Sequence, residues 1–284
     1  MNWRAAGWCL LWLLALPVRA QPLARHANIT LITEEWPPYN YVEQGRLTGV
    51  SVRIVQALLR ELERGDPIRV YPSQRAKLLL DSQPRSMLFS MFRPPQRETQ
   101  YKWIGPIGHD AIYFYQRKGS PLQIRSLADA KAVPVIASRQ AGLVFNLLTD
   151  AGFTNLDATA YTGRQVYSKL LRGRADLAIS DSPLGVQYQL QQMGVPADAL
   201  QQTQVKVVDS DLYIAASLDF PDTEIALWQQ ALDRLRAQGD IDRLSREGAG
   251  LMWPFAPARC PSGGAGCSNQ QGGLGRPVVD TLPP

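Results

Sequence analysis

The sequence predicts an α/β protein built on a mainly parallel sheet with helices on its faces. Short apolar runs rich in β-branched residues alternate along the chain with longer stretches whose apolar residues recur at helical spacing. Gly and Pro fall mostly between these segments rather than inside them. At 284 residues, with 45% apolar and 19% charged side chains, the chain can bury the core of one large domain or two modest ones.

The first twenty residues stand apart from that fold. Met1-Asn2-Trp3-Arg4 carries positive charge, Ala5 to Leu16 is almost unbroken apolar sequence, and small residues, Val18 and Ala20, precede Gln21 at the positions a signal peptidase reads. The apolar run is shorter than the roughly 20 residues a spanning helix needs. Residues 1–20 are therefore expected to be a signal peptide, and the mature chain a soluble protein of the periplasm beginning at Gln21. Cys9 lies inside the apolar run, so no lipid anchor is expected. Cleavage removes Arg4 and Arg19 and no acid, and the net charge falls from +5 to +3. An excess so small and evenly spread gives no reason to expect a nucleic-acid partner.

The elements follow in order. Ile29 to Thr33 reads as a buried strand, and Trp36-Pro37-Pro38-Tyr39 as a loop, because consecutive prolines remove amide donors. Gly45 and Gly49 bracket a turn and a helix start. Val52, Val55, Leu58, Leu59 and Leu62 then mark one helical face over Val50 to Leu62. Ile68 to Tyr71 is a short strand, Ala76 to Leu80 a short helix, Ser86 to Met91 a strand and Ala111 to Tyr115 another, ended by Gly119-Ser120-Pro121. Strands are predicted at 133–137, 158–161 and 177–179, alternating with helices at 141–151, 165–171 and 184–193. Val205 to Val208 and Leu212 to Ala216 read as two strands meeting at Asp209-Ser210-Asp211. A long helix from Asp222 to Ala237 and a short one near Ile241 close the folded part. From Pro254 to Pro284, Pro, Gly, Ser and Gln dominate, and such a stretch buries too little apolar surface to offset its ordering entropy. Residues 254–284 are expected to be a disordered tail. Within it, Cys260 and Cys267 either close a small disulfide loop or remain free thiols.

The sequence lacks the usual marks of catalysis. There are two histidines, His26 and His109, and nothing has zinc-ligand spacing. No nucleophile elbow, phosphate loop or dinucleotide fingerprint occurs. No metal, cofactor or enzymatic activity is expected.

Four landmarks in order carry a resemblance. An opening strand runs into Trp36-Pro37-Pro38-Tyr39, with Gly45 and Gly49 ahead of a helix. Phe89-Ser90-Met91-Phe92-Arg93-Pro94-Pro95-Gln96-Arg97 is followed by Tyr101-Lys102-Trp103 and Gly105-Pro106. Ser126-Leu127-Ala128-Asp129 precedes a strand and Ser138-Arg139-Gln140-Ala141. Finally, Leu171-Arg172-Gly173-Arg174-Ala175-Asp176 leads through Leu177-Ala178-Ile179-Ser180 to Asp181. Over about residues 28–250 the chain resembles the family 3 bacterial extracellular solute-binding proteins, which bind polar amino acids for ABC importers. The resemblance implies the two-lobed periplasmic binding protein fold of type II, each lobe a mainly parallel sheet flanked by helices, with a ligand cleft between. It implies lobe 1 at 28–112 plus 213–250, lobe 2 at 115–207, and a hinge near 113–117 and 208–213.

It also implies a site. A zwitterion leaving water needs a fork for its carboxylate and an acid for its ammonium. Arg97 stands where the family clamps the carboxylate, Ser90 where a hydroxyl or amide assists, and Asp181 where the ammonium is held. Tyr39 is placed to form an aromatic wall, and Arg75 and Ser138 border the same cleft. The alternatives are a surface ion pair for Arg97, a helix cap for Asp181 and core packing for Tyr39. Phe92 and Ser138-Arg139-Gln140 depart from the family's hydroxyl-rich carboxylate contacts, Arg53 replaces an acid often found in the first helix, and Arg75 and Arg93 add cations near the cleft. The ligand is thus expected to be an amino acid or another small organic acid, bound by a monomer that serves an ABC permease or a membrane receptor. A dehydratase of the cyclohexadienyl type on the same fold, with Glu34 or Glu35 as acid, is the enzymatic alternative.

Overall fold

The structure, a computed structural model, describes residues 28–252. The expected signal peptide, the Gln21 start, the 254–284 tail and the Cys260–Cys267 pair lie outside the described residues.

Strand β1 (Thr30–Thr33) puts apolar residues at successive positions, Leu31 and Ile32, because both of its faces are buried in the sheet. A hairpin of β2 (Tyr41–Glu43) and β3 (Arg46–Thr48) turns through Gln44 and Gly45, both at positive φ. Gly49, at φ 122°, starts α1 (Val50–Glu61), and a Cβ there would overlap the Tyr39 carbonyl. Only glycine lets the Trp-Pro-Pro-Tyr loop fold onto the helix start. Strand β4 (Ile68–Val70), helix α2 (Ser73–Ser82) and strand β5 (Ser86–Phe92) follow, with β4 and β5 pairing parallel on either side of β1. A 3₁₀ turn at Pro95–Arg97 leads into β6 (Lys102–Arg117).

Beyond it come α3 (Leu127–Ala132), β7 (Ile136–Arg139), α4 (Leu143–Asp150), β8 (Leu156–Ala160), α5 (Gly163–Leu171), β9 (Leu177–Ile179) and α6 (Pro183–Gln192). Local chemistry starts these helices. Ser126 caps α3 by accepting from the Asp129 amide, and Thr162 with Gln165 forms a reciprocal capping box on α5. Ser182 caps α6 and Pro183 occupies its first turn, where a missing N–H costs nothing. The chain ends in β10 (Leu200–Ala216), α7 (Asp222–Ala237) and α8 (Asp240–Met252). Helices α1, α7 and α8 pack together, and α7 also packs on β6.

One eight-stranded sheet runs in the order β4-β1-β5-β10-β6-β9-β7-β8. It contains two parallel groups, β4-β1-β5 and β9-β7-β8. The long strands β10 and β6 join them, antiparallel to each other and to their outer neighbours β5 and β9.

Two expectations need correcting. The segments read as separate strands around Asp209-Ser210-Asp211 form one 17-residue strand, with these three residues paired to Ala111, Asp110 and His109 of β6. Their polar side chains read as a turn in the sequence, but Asp209 and Asp211 are held by His109 across the ladder. Likewise the predicted strand at 111–115 is the later part of a 16-residue β6 that begins at Lys102. In addition, α3 is a helix the periodicity did not reveal, and the short helix near Ile241 is 13 residues long.

Candidate ligand site

A cavity of about 370 Å³ lies between the two parallel groups. Its walls come from the C-terminal ends of four parallel strands and the residues just past them. Glu34 follows β1; Ser90, Met91 and Phe92 end β5; Ser138 and Arg139 end β7; Ile179 and Ser180 end β9. Open α/β sheets place ligands at this edge, where helix N-termini and loops converge.

Arg97 reaches the cavity from the 3₁₀ turn. Burial pulls its pKa below the usual arginine value, partly offset by Tyr101, Glu34 and Asp81. No carboxylate among the described residues forms an ion pair with it. Ser90 is 3% exposed, lines the same cavity, and its hydroxyl has no hydrogen-bond partner. A half-buried guanidinium and a free hydroxyl lining one cavity can together receive a carboxylate. Ser138 also lines the cavity, and its hydroxyl donates to the Arg139 carbonyl at 3.1 Å.

The other three expected residues lie elsewhere. Asp181 is 0% exposed and sits behind Arg139, which spans Ser180 Oγ (2.9 Å) and Asp181 Oδ1 (2.8 Å) and itself faces the cavity. Burial opposes the charge on Arg139, but the Asp181 carboxylate together with the Glu34 and Tyr167 charges outweighs it and raises the pKa above the ordinary arginine value. The Asp181 amide donates to the Tyr167 hydroxyl at 2.9 Å, and the α6 cap is Ser182 rather than Asp181. Tyr39 is 7% exposed, with its ring 4.8 Å from that of Trp36 and its hydroxyl beside Asp110 and Ser182. Burial and the Asp110 charge push its pKa up. Arg75 lies on the surface, its guanidinium 5.1 Å from the centre of the Tyr71 ring. The structure thus brings Ser90, Arg97 and Ser138 to one cavity, puts Asp181 one layer behind it, and keeps Tyr39 and Arg75 off its lining.

Two lining residues were legible but given other weight. Trp36, in the same loop as Tyr39, is the aromatic residue of that loop that faces the cavity, edge-on to Phe92 at 5.6 Å. Glu34 supplies a carboxylate to the cavity and accepts a hydrogen bond from Ser73. Its place directly after the opening strand was the available signal. Among the described residues, no cluster of His, Cys, Asp and Glu is arranged to hold a metal ion.

The model of the bacterial extracellular solute-binding proteins, family 3, matches residues 29–247. The chain belongs to that family. As a family 3 solute-binding protein it has the family's two-lobed α/β fold, which solved structures share at low identity. A histidine kinase sensor domain with similarity to periplasmic binding proteins aligns at TM-score 0.68 and 19% identity, covering 78% of this chain and 97% of that one. An ancestral arginine-binding protein bound to glutamine gives TM-score 0.66 and 17% identity, covering 78% and 98%. The arginine-, lysine-, histidine-binding protein ArtJ from Geobacillus stearothermophilus gives 0.67 and 15%, covering 78% and 96%. No curated protein sequence matches the chain. Among the described residues no helix is long and apolar enough to cross a membrane.

Proposed function

We propose that this solute-binding protein captures a small carboxylate-bearing ligand, an amino acid or related organic acid, and carries out no catalysis. The observation that carries the reading is the half-buried Arg97 guanidinium, which lines the cavity without an ion-pair partner among the described residues, together with the unpaired Ser90 hydroxyl on the same lining. Bringing an anion to a desolvated cation removes a standing cost, and the planar fork adds directional bonds. Neighbours whose structures hold glutamine or L-glutamate support the ligand class.

The reading includes lobe 1 at 28–112 plus 213–250 and lobe 2 at 115–207, with a hinge near 113–117 at the end of β6 and 208–213 in β10. A ligand that touches both lobes binds the closed form better than the open one, which drives closure. We read the mature protein as a periplasmic monomer exported by residues 1–20, delivering its ligand to an ABC permease. The likeness to a histidine kinase sensor domain favours a second reading, in which the closed form signals to a membrane receptor.

A thermal-shift screen of the mature protein against amino acids, small organic acids and polyamines tests this function. Carboxylate compounds are expected to raise Tm, and Arg97→Ala to weaken the best of them by roughly 2–5 kcal/mol, the range for truncating one partner of a buried charge pair. Unchanged affinity in Arg97→Ala would sink the carboxylate clamp. Turnover of prephenate or arogenate would replace the binding role with an enzymatic one.

A further inference from the structure

The acid in the family's ammonium position is already occupied in this chain. Arg139 ties up one oxygen of Asp181 at 2.8 Å and places its own guanidinium between that carboxylate and the cavity. The other Asp181 oxygen is buried against α5, where a Cβ on Gly163 would overlap it. Gly185 is equally confined, since a Cβ there would come 2.8 Å from Asp181 Cβ. Asp181 is thus enclosed between two helices and an arginine, and a ligand ammonium would have to displace a buried ion pair to reach it.

The cavity has a different carboxylate. Glu34 lines it from the other side of the cleft, one oxygen accepting from the Ser73 hydroxyl and the other making no hydrogen bond. Glu34 lies within electrostatic reach of both Arg97 and Arg139, yet it forms an ion pair with neither. The remaining cavity cations are committed, Lys77 to Asp81 at 2.7 Å and Arg139 to Asp181. What the wall presents is one unpaired cation and one available carboxylate, both on elements assigned to lobe 1, separated but within electrostatic reach. That is the complement of a zwitterion. A ligand that was only an anion would meet Arg97 but suffer repulsion from Glu34.

We propose that Glu34, not Asp181, receives the cationic nitrogen of the ligand, so that an amino acid lies along the lobe 1 wall with its carboxylate on Arg97 and its ammonium on Glu34. This rests on the carboxylate-ligand reading above and narrows it to ligands that carry both charges. Asp181 acts instead as a positioning residue: it fixes Arg139, whose remaining donors face the ligand from lobe 2. Trp36 packs beside the ligand's apolar part.

The test uses calorimetry on full mature protein, wild type and Glu34→Gln. The probes are the amino acid giving the largest thermal shift and its 2-hydroxy analogue, which keeps the carboxylate and loses the ammonium. Wild type is expected to prefer the amino acid, and Glu34→Gln to bind it weaker by roughly tenfold or more, the size of a lost hydrogen bond to a charged group. The 2-hydroxy analogue should bind Glu34→Gln at least as well as wild type, because the repulsion is gone. Glu34→Asp should recover part of the amino-acid affinity. Equal amino-acid affinity in Glu34→Gln and wild type, or a wild-type preference for the amine-free acid, overturns the assignment to Glu34 while leaving the carboxylate reading intact. Normal amino-acid binding by Arg97→Ala would overturn the carboxylate reading itself, so the two failures are distinguishable.

Discussion

At Ser90 the pairing of β5 with β10 falls out of step: Met91 faces Tyr213, Phe89 faces Ile214, and Ser90 is the extra residue between them. It takes φ 65°, a left-handed conformation that a residue with a Cβ adopts at a cost. The bulge interrupts the alternation of side chains and brings Ser90, Met91 and Phe92 in succession to the cavity lining. Ser90→Gly should therefore stabilise the protein by about 1 kcal/mol through relief of strain, and weaken binding of a carboxylate ligand by about 1.5–3 kcal/mol through loss of the hydroxyl. Chemical denaturation and calorimetry on the same variant check both signs; lower stability with unchanged affinity would mean the hydroxyl serves the fold. At this scale the sequence indicated residue type well and direction poorly. Ser90 and Arg97 are both expected from the segment 89–97 and both line the cavity, but which ring of Trp36-Pro37-Pro38-Tyr39 faces the cavity depends on how the loop packs on Gly49.

Strands β6 and β10 are the elements that run through both parallel groups, and a charged cluster sits at their middle. His109 of β6 lies 2.8 Å from Asp211 and 2.9 Å from Asp209 of β10. The hydrogen bond to Asp211, then Asp209, outweighs partial burial and raises its pKa above the ordinary value of 6.5. Lys206 also reaches Asp209, and Asp110 is the neighbouring acid on β6. A folded-state pKa raised above the unfolded value means that His109 stabilises the fold fully below about pH 6.5, and that this contribution fades as pH climbs through the raised pKa. Because the ring is 61% exposed, the effect should be modest and screened by salt. The Tm difference between wild type and His109→Gln should be larger at about pH 5.5 than at about pH 8.5. A difference that does not change with pH would show that the ring merely fills space. Sequence periodicity split β10 in two here, because Asp209-Ser210-Asp211 has turn composition and the partner strand that pairs with it lies about a hundred residues away.

The molecule as a whole holds its two sides together by contacts that need no ligand. The rings of Tyr41, in the β2–β3 hairpin, and Tyr188, in α6, lie 5.1 Å apart. The Tyr39 hydroxyl lies beside Ser182 at the start of α6, and a Cβ on Gly185 would come 3.1 Å from the Pro37 carbonyl. Aromatic pairs of this kind contribute about 0.5–1.5 kcal/mol beyond their buried area, enough to bias an open–closed equilibrium several-fold. Tyr188→Ala should therefore enlarge the radius of gyration of the ligand-free protein in solution scattering and weaken ligand binding, while ligand at saturation restores the compact form. A scattering profile unchanged by the substitution would show that these rings do not control closure.

The sequence by itself determined the α/β class, most helices and strands, the family resemblance, and two residues, Ser90 and Arg97, that line the cavity. Those features are local: helical spacing, β-branched runs, caps and short ordered motifs are written in neighbouring residues. Only the tertiary structure decided that Asp209-Ser210-Asp211 continues a strand, that Trp36 rather than Tyr39 lines the cavity, and that Arg139 encloses Asp181 and leaves Glu34 as the carboxylate the cavity presents. Each depends on a partner far away in the chain, Arg139 on Asp181, His109 on Asp211, Tyr39 on Ser182, and long-range pairing of charges and rings leaves no periodic trace in the sequence.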